Sequence, residues 1–338
     1  MLRLLLAGGL LAALVRATSM ATRPPDWESY FEPRIRERTR ELLEDFDVVG
    51  TRQHLAIVPR GEFLRHLRQN IRAAVVASTL QVNSIDYAKR RYCDEDEGDD
   101  DVGPAVDAYI SAYVAAKNYI NRLLKKLHTE NLPDPTVGVF GASVVLERLP
   151  PSFFCAHLLY RLGHSYEGHA VSRLILEQIA WAYAAHTLDD MDAIEKIETT
   201  RAISQLKKFD SFAGEFYGFL SKKTHIDYAS HREFLRVKDG QNVILHAHAR
   251  FSEYGRTILY LADMFGLVWE LSQLPYIQDP EAVIRSKEGA RPNKERPFFK
   301  TVSEHTEKLE RIEAVEREPR DGPTDPTLKA TRRKRRAP

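Results

Sequence analysis

One stretch of the chain carries ionisable side chains at a spacing that could do chemistry: Gly163-His164-Ser165-Tyr166-Glu167-Gly168-His169-Ala170-Val171-Ser172-Arg173-Leu174-Ile175-Leu176-Glu177. On a helix, residues four apart share a face, so His169, Arg173 and Glu177 form a polar stripe through an otherwise apolar sequence. Two chemistries fit. Arg173 and Glu177 can pair with each other and fix helix register, although burying them among Val171, Leu174, Ile175 and Trp181 costs desolvation that apolar residues avoid. Alternatively, Arg173 holds an anionic group such as phosphate while Glu177 or a histidine handles protons. A second cluster, Ser221-Lys222-Lys223-Thr224-His225-Ile226-Asp227-Tyr228, ends a helix in lysines before a hydroxyl and an imidazole. The candidate catalytic set is therefore Arg173, Glu177 and His225, with His169 and Lys223 as candidate ligand-binding groups.

Metal chemistry finds less support. His225, His231, His246 and His248 could share a site with Asp227, and strand alternation puts His246 and His248 on one face, but no two histidines have the HxxxH or HExxH spacing of a zinc site. The acidic run Asp94, Glu95, Asp96, Glu97, Asp99, Asp100 and Asp101 fails as a calcium loop. Counted from Asp94, Gly98 falls one position early and position twelve is Ala105 instead of a bidentate glutamate. It reads as a solvated acidic loop, and no metal is expected. Cys93 and Cys155 are too far apart in sequence to suggest a zinc pair, and two cysteines give no disulfide framework. The acidic neighbours of Cys93 disfavour a thiolate. There is no GxSxG elbow, Walker loop or GxGxxG turn, and no cofactor is implied. Gly138-Val139-Phe140-Gly141-Ala142-Ser143 reads as an ordinary turn.

The elements that would position these groups are mostly helical. Apolar residues recur at helical spacing over residues 27–46, 62–92 and 106–127, which predicts a helical N-terminal subdomain over residues 22–130. Asn131-Leu132-Pro133-Asp134-Pro135 cannot continue a helix and opens a linker assigned to residues 131–150. A C-terminal helical domain over residues 151–278 follows, with helices at 152–162, 164–187, 193–220 and 251–274. Asp239-Gly240 predicts a short β-hairpin near residues 232–248. The fold class is all-α: a multi-helix bundle with one short hairpin.

Both ends differ in composition. Residues 1–21 contain the apolar stretch Leu4 to Val15 and read as a signal-like or non-native extension, so the expected location is cytoplasmic, or exported if the first 19 residues are a genuine signal. Residues 279–338 are rich in proline and poor in apolar residues, and they end in Arg332-Arg333-Lys334-Arg335-Arg336. They read as a disordered basic tail with one short helix near residues 301–316, able to touch nucleic acid weakly and without base stacking. With 49 Lys+Arg against 48 Asp+Glu, the net charge of +1 steers the whole chain to no polyanion. No segment is long and apolar enough for stable membrane insertion.

The order of these motifs (a helix with Arg173-Leu174-Ile175-Leu176-Glu177, a long helix, the Lys223-Thr224-His225 segment and a closing helix) resembles a group of bacterial all-helical proteins similar to HEPN-type bundles. The resemblance covers residues 152–274. It implies a setting in bacterial stress or phage defence, where several HEPN proteins are ribonucleases. Their motif is an arginine and a polar residue followed, four to six positions on, by histidine. Its nearest form here is Arg60 to His66, with Gly61 in the polar place. With no complete catalytic motif, the sequence reads first as a helical binding or regulatory protein, with a homodimer through its long apolar helices as one partner. The alternative is a HEPN-like ribonuclease or phosphate-binding enzyme using Arg173, Glu177 and His225.

Overall fold

The computed structural model describes residues 46–50, 55–59, 65–93, 103–126, 134–225, 234–238, 241–244, 250–287 and 289–317. The chain divides into two compact units, Met1–Glu97 and Gly98–Pro338. In the first, strands β1 (Phe46–Gly50) and β2 (Leu55–Pro59) pair antiparallel, with Phe46 opposite Pro59. Helices α1 (Arg65–Leu80) and α2 (Ile85–Tyr92) form a hairpin around the small buried residues Ala73, Ala77 and Ala88. The periodicity over residues 62–92 suggests one helix, but the chain turns at Gln81, whose φ of 54° is left-handed. It restarts at Ser84, whose Oγ accepts from the Tyr87 amide at 3.2 Å.

The second unit holds α3 (Pro104–Leu124), α4 (Val137–Glu147), α5 (Pro150–Arg161), α6 (Ser165–Ala185), α7 (Met191–Glu195), α8 (Thr199–Phe209), α9 (Phe212–Thr224), α10 (Phe251–Ser272) and α11 (Pro297–Arg317). Among them lie hairpins β3 (Leu235–Lys238) with β4 (Gln241–Ile244) and β5 (Val283–Ser286) with β6 (Gly289–Pro292). The all-α bundle is the architecture, and the β3–β4 register, Lys238 opposite Gln241, leaves the two-residue turn expected at residues 239 and 240. Two further hairpins, β1–β2 and β5–β6, accompany it among the described residues.

Helix α10 is apolar on nearly all sides and forms the axis of the core, flanked by α3, α6 and α11. Close approach is possible because Gly266 lies against the Tyr119 ring and Gly255 against the Leu309 side chain, where a Cβ would collide. The indole of Trp269 donates to the Leu123 carbonyl at 3.1 Å, which satisfies its buried N–H. Because α3 supplies Tyr109, Ala112, Tyr113, Ala116 and Leu123 to this core, it belongs to the second unit and not to a 22–130 subdomain.

Two other boundaries move. The 131–150 linker contains α4, including the glycines of the supposed turn. Gly138 is needed there because its amide donates to the Leu188 carbonyl at 3.0 Å and a Cβ would meet the Ala185 and Leu188 carbonyls. The single helix expected over residues 193–220 is broken among α7, α8 and α9. At the second break Asp210 adopts extended backbone, its carboxylate accepting from the Phe212 amide at 3.0 Å and lying 3.7 Å from Arg296.

The largest correction concerns residues 279–317. The helix expected near residues 301–316 is present as part of α11, but the residues before it form β5 and β6 where a loose tail was expected, and α11 buries Phe298, Val302 and Leu309. Apolar residues are sparse there but fall at helical spacing, and buried polar contacts add to them. Arg296 grips Asp263 of α10 through both carboxylate oxygens, with Nε to Oδ1 at 2.6 Å. Glu270 of α10 accepts from the Ala282 amide at 2.5 Å. The acidic loop 94–101, the N-terminal extension 1–21, the predicted helix before Phe46 and the Arg332–Arg336 cluster lie outside the described residues.

Candidate functional site

Helix α6 carries the polar stripe, and the geometry of the helix divides it. With 3.6 residues per turn, each step of four advances the direction by roughly 40°, so residues eight apart no longer face the same neighbour. His169 points into the core and is 1% exposed, whereas Arg173 and Glu177 lie at the helix edge facing α9.

At that edge Arg173 Nε donates to Glu177 Oε1 at 2.9 Å, and another of its guanidinium nitrogens donates to Tyr217 Oη at 2.9 Å. The Tyr217 hydroxyl donates in turn to Glu177 Oε1 at 3.2 Å, and the guanidinium lies 5.2 Å from the Tyr217 ring centre. The three groups close on one another, tying α6 to α9. A phosphate approaching Arg173 would have to displace or sit beside the Glu177 carboxylate, a like-charge arrangement.

His169 belongs to a different cluster. Its Nδ1 lies 2.5 Å from the Ser165 carbonyl, which can only accept, so Nδ1 carries a proton. Its Nε2 lies 3.2 Å from Glu253 Oε1 of α10, in ion-pair reach but off the axis of a full hydrogen bond. Glu253 Oε2 is 3.0 Å from Lys223 Nζ of α9 and 3.9 Å from Arg250. Burial works to raise the Glu253 carboxyl, but its contacts with His169 and then Lys223 prevail and bring it down to about 2. Tyr160, Phe219 and Tyr254 stand around the imidazole with ring centres 5.3 to 6.1 Å away, each turned edge to face. The hydroxyl of Tyr160 is itself held by Ser172 Oγ at 2.9 Å.

The structure thus brings together Arg173 with Glu177, and His169 with Lys223 through Glu253. It does not bring His225 to either cluster. His225 is exposed at the C-terminal cap of α9, where its backbone amide bonds to the Ser221 carbonyl. Sequence reasoning missed Tyr217 and Glu253, the two residues that join the clusters to α9 and α10. Tyr217 sits five residues before the Lys222-Lys223 pair, and Glu253 is the acidic residue in the first turn of a long apolar helix, a weak signal in each case. His231, His246, His248 and Asp227 lie outside the described residues. Among the described residues no group of three or more His, Cys, Asp or Glu is placed to hold a metal ion, and no helix is long and apolar enough to cross a membrane.

Compared with known proteins, the chain matches no family model, no curated protein and no solved structure, so its function has to be argued from these residues alone.

Proposed function

We propose that this chain is a helical binding protein in which the α6 stripe is a fastening between helices and not a catalytic centre. One observation carries the reading: the Arg173 guanidinium and the Glu177 carboxylate bond to each other and to Tyr217, which holds a carboxylate against the guanidinium where an anion would bind, with His225 outside the group. A general acid or base must reach the atom whose proton it moves, and a phosphate-binding arginine must offer donors to the ligand. His169 meets neither requirement, because aromatic rings and Glu253 occupy its surroundings.

The alternative, a HEPN-like ribonuclease or phosphate-binding enzyme, needs Arg173, Glu177 and His225 to act on one substrate. The long apolar helices α6 and α10 use their apolar surface inside the second unit, so a homodimer would draw on other faces. The test incubates the purified full chain with mixed RNA beside Arg173→Ala and His225→Ala. Intact RNA in all three samples is expected. Fragments from the parent protein that vanish with either substitution would reinstate the enzyme.

A further inference from the structure

We infer that the α1–α2 hairpin is a docking surface for single-stranded nucleic acid, with Tyr87 and Tyr92 stacking on bases and Lys89, Arg90 and Arg91 meeting the phosphates. The charge is local. Between residue 65 and the acidic run that opens at Asp94, the chain carries Arg65, Arg68, Arg72, Lys89, Arg90 and Arg91 against the lone carboxylate of Asp86.

Helix α2 presents these groups in an order that suits a strand. Ala88 is fully buried against the hairpin, so the rest of the turn faces out. Tyr87, Arg90 and Arg91 share one face at three- and four-residue spacing, and Lys89 and Tyr92 share the adjoining one. The two tyrosines are 47% and 45% exposed, with ring centres 6.2 Å apart and planes at 76°. An edge-to-face pair cannot cover both faces of both rings, which leaves π surface for a base. Large exposed aromatics cost solvation and, among basic groups, match the stacking platform and electrostatic groove of single-strand binders.

Cations in the last turn of a helix also favour its dipole, which would account for one or two of them. It does not account for the grouping of three of them between two exposed tyrosines. Some exposed cations on other helices have carboxylates four residues away, as in Arg311 with Glu307 at 3.2 Å and Lys300 with Glu304 at 3.8 Å, while Lys207 and Lys208 at the end of α8 have none and lack the exposed tyrosines of α2. On α2, Lys89 Nζ donates to the neutral Asn70 Oδ1 at 2.8 Å, keeping its charge uncompensated. Among the described residues no carboxylate pairs with Arg90 or Arg91. A duplex would offer the same phosphates with its bases already stacked, so the tyrosines select for single strands.

The inference names a partner for the proposed binding function but does not depend on the α6 fastening. The experiment measures fluorescence anisotropy of a labelled 20-nucleotide RNA of mixed sequence with the full chain, beside the same sequence as single-stranded DNA and as a duplex. Both single strands should bind alike and more tightly than the duplex, since base stacking and phosphate contacts do not depend on the 2′-hydroxyl. Tyr87→Ala should weaken single-strand binding about tenfold while Tyr87→Phe retains it. The double substitution Arg90→Ala with Arg91→Ala should make the dependence of log K on log salt shallower by about 1.4, two phosphates at roughly 0.7 each. Replacing all five residues of Arg332–Arg336 by alanine should leave the Tyr87 effect intact. Absence of binding at low salt, or affinity and salt slope unchanged by the α2 substitutions, overturns the proposal. Unchanged circular dichroism spectra confirm that the variants fold. RNA bound but uncleaved supports both readings, whereas cleaved RNA overturns only the non-enzymatic one.

Discussion

His157 of α5 lies flat against the Tyr113 ring, with centres 3.7 Å apart and planes at 7°, and its Nδ1 is 3.1 Å from Tyr109 Oη. Burial, and secondarily the charge of Arg161, push its pKa well below the ordinary 6.5. The folded chain therefore keeps this ring neutral over a range in which the unfolded chain protonates it. The unfolded state binds the extra proton, so the stability contribution is complete above pH 6.5 and is lost as the pH falls below that value. The expected slope is about 1.4 kcal/mol per pH unit for one such group. Burial also lowers His186 and His305, which adds to the fall in the same direction. Urea unfolding from pH 7.5 to 5 should show the loss, and His157→Phe should flatten it. That variant should also cost about 1–3 kcal/mol at pH 7.5, because the buried Tyr109 hydroxyl loses its partner. A slope unaltered by the substitution would refute this assignment. The stripe on α6 was legible at this scale because helical spacing is local, and the pairing of Arg173 with Glu177 follows from it. Its closure by Tyr217 and the capture of His169 by Glu253 were not legible, since both partners lie on helices fixed only by tertiary packing.

At the scale of elements, the boundary errors share a cause. Composition averages over a segment, whereas packing depends on a few positions: Phe298, Val302 and Leu309 give α11 its buried face although the surrounding residues are largely charged. The same helix does work that no composition reveals. Glu313 accepts from the Ser252 amide at 2.7 Å through one carboxylate oxygen and from the Ser252 hydroxyl at 2.7 Å through the other. It thereby caps the first turn of α10 from a helix some sixty positions later in the chain, satisfying an amide without a partner inside α10 and placing negative charge at the positive end of the helix dipole. Glu313→Ala should lower stability by about 1–2 kcal/mol in urea unfolding, and Glu313→Gln, which keeps an acceptor but not the charge, by less. Equal losses in the two variants would show that charge is not what the cap supplies.

For the whole molecule, the position of the core decides what can fold alone. The main buried apolar cluster runs from Val106 to Leu309, wholly within the unit Gly98–Pro338. A segment with its own core and its own satisfied helix ends should fold as a cooperative domain. Its buried polar contacts are internal too: Arg296 with Asp263, Glu270 with Ala282, and Glu253 with His169 and Lys223. Residues 98–338 expressed without the first unit should therefore give a helical spectrum and one sharp urea transition at nearly the midpoint of the full chain. A cut at residue 131, where the prolines suggest a boundary, should fail, because it strips α3 from α10 and exposes Trp269 and Phe265 along the seam. Fully buried aromatic and aliphatic side chains contribute about 1.5–3 kcal/mol each, so losing a whole helical face exceeds the net stability of an ordinary domain. If residues 132–338 unfold with the same cooperativity as residues 98–338, α3 is not part of the core and the two-unit division is wrong.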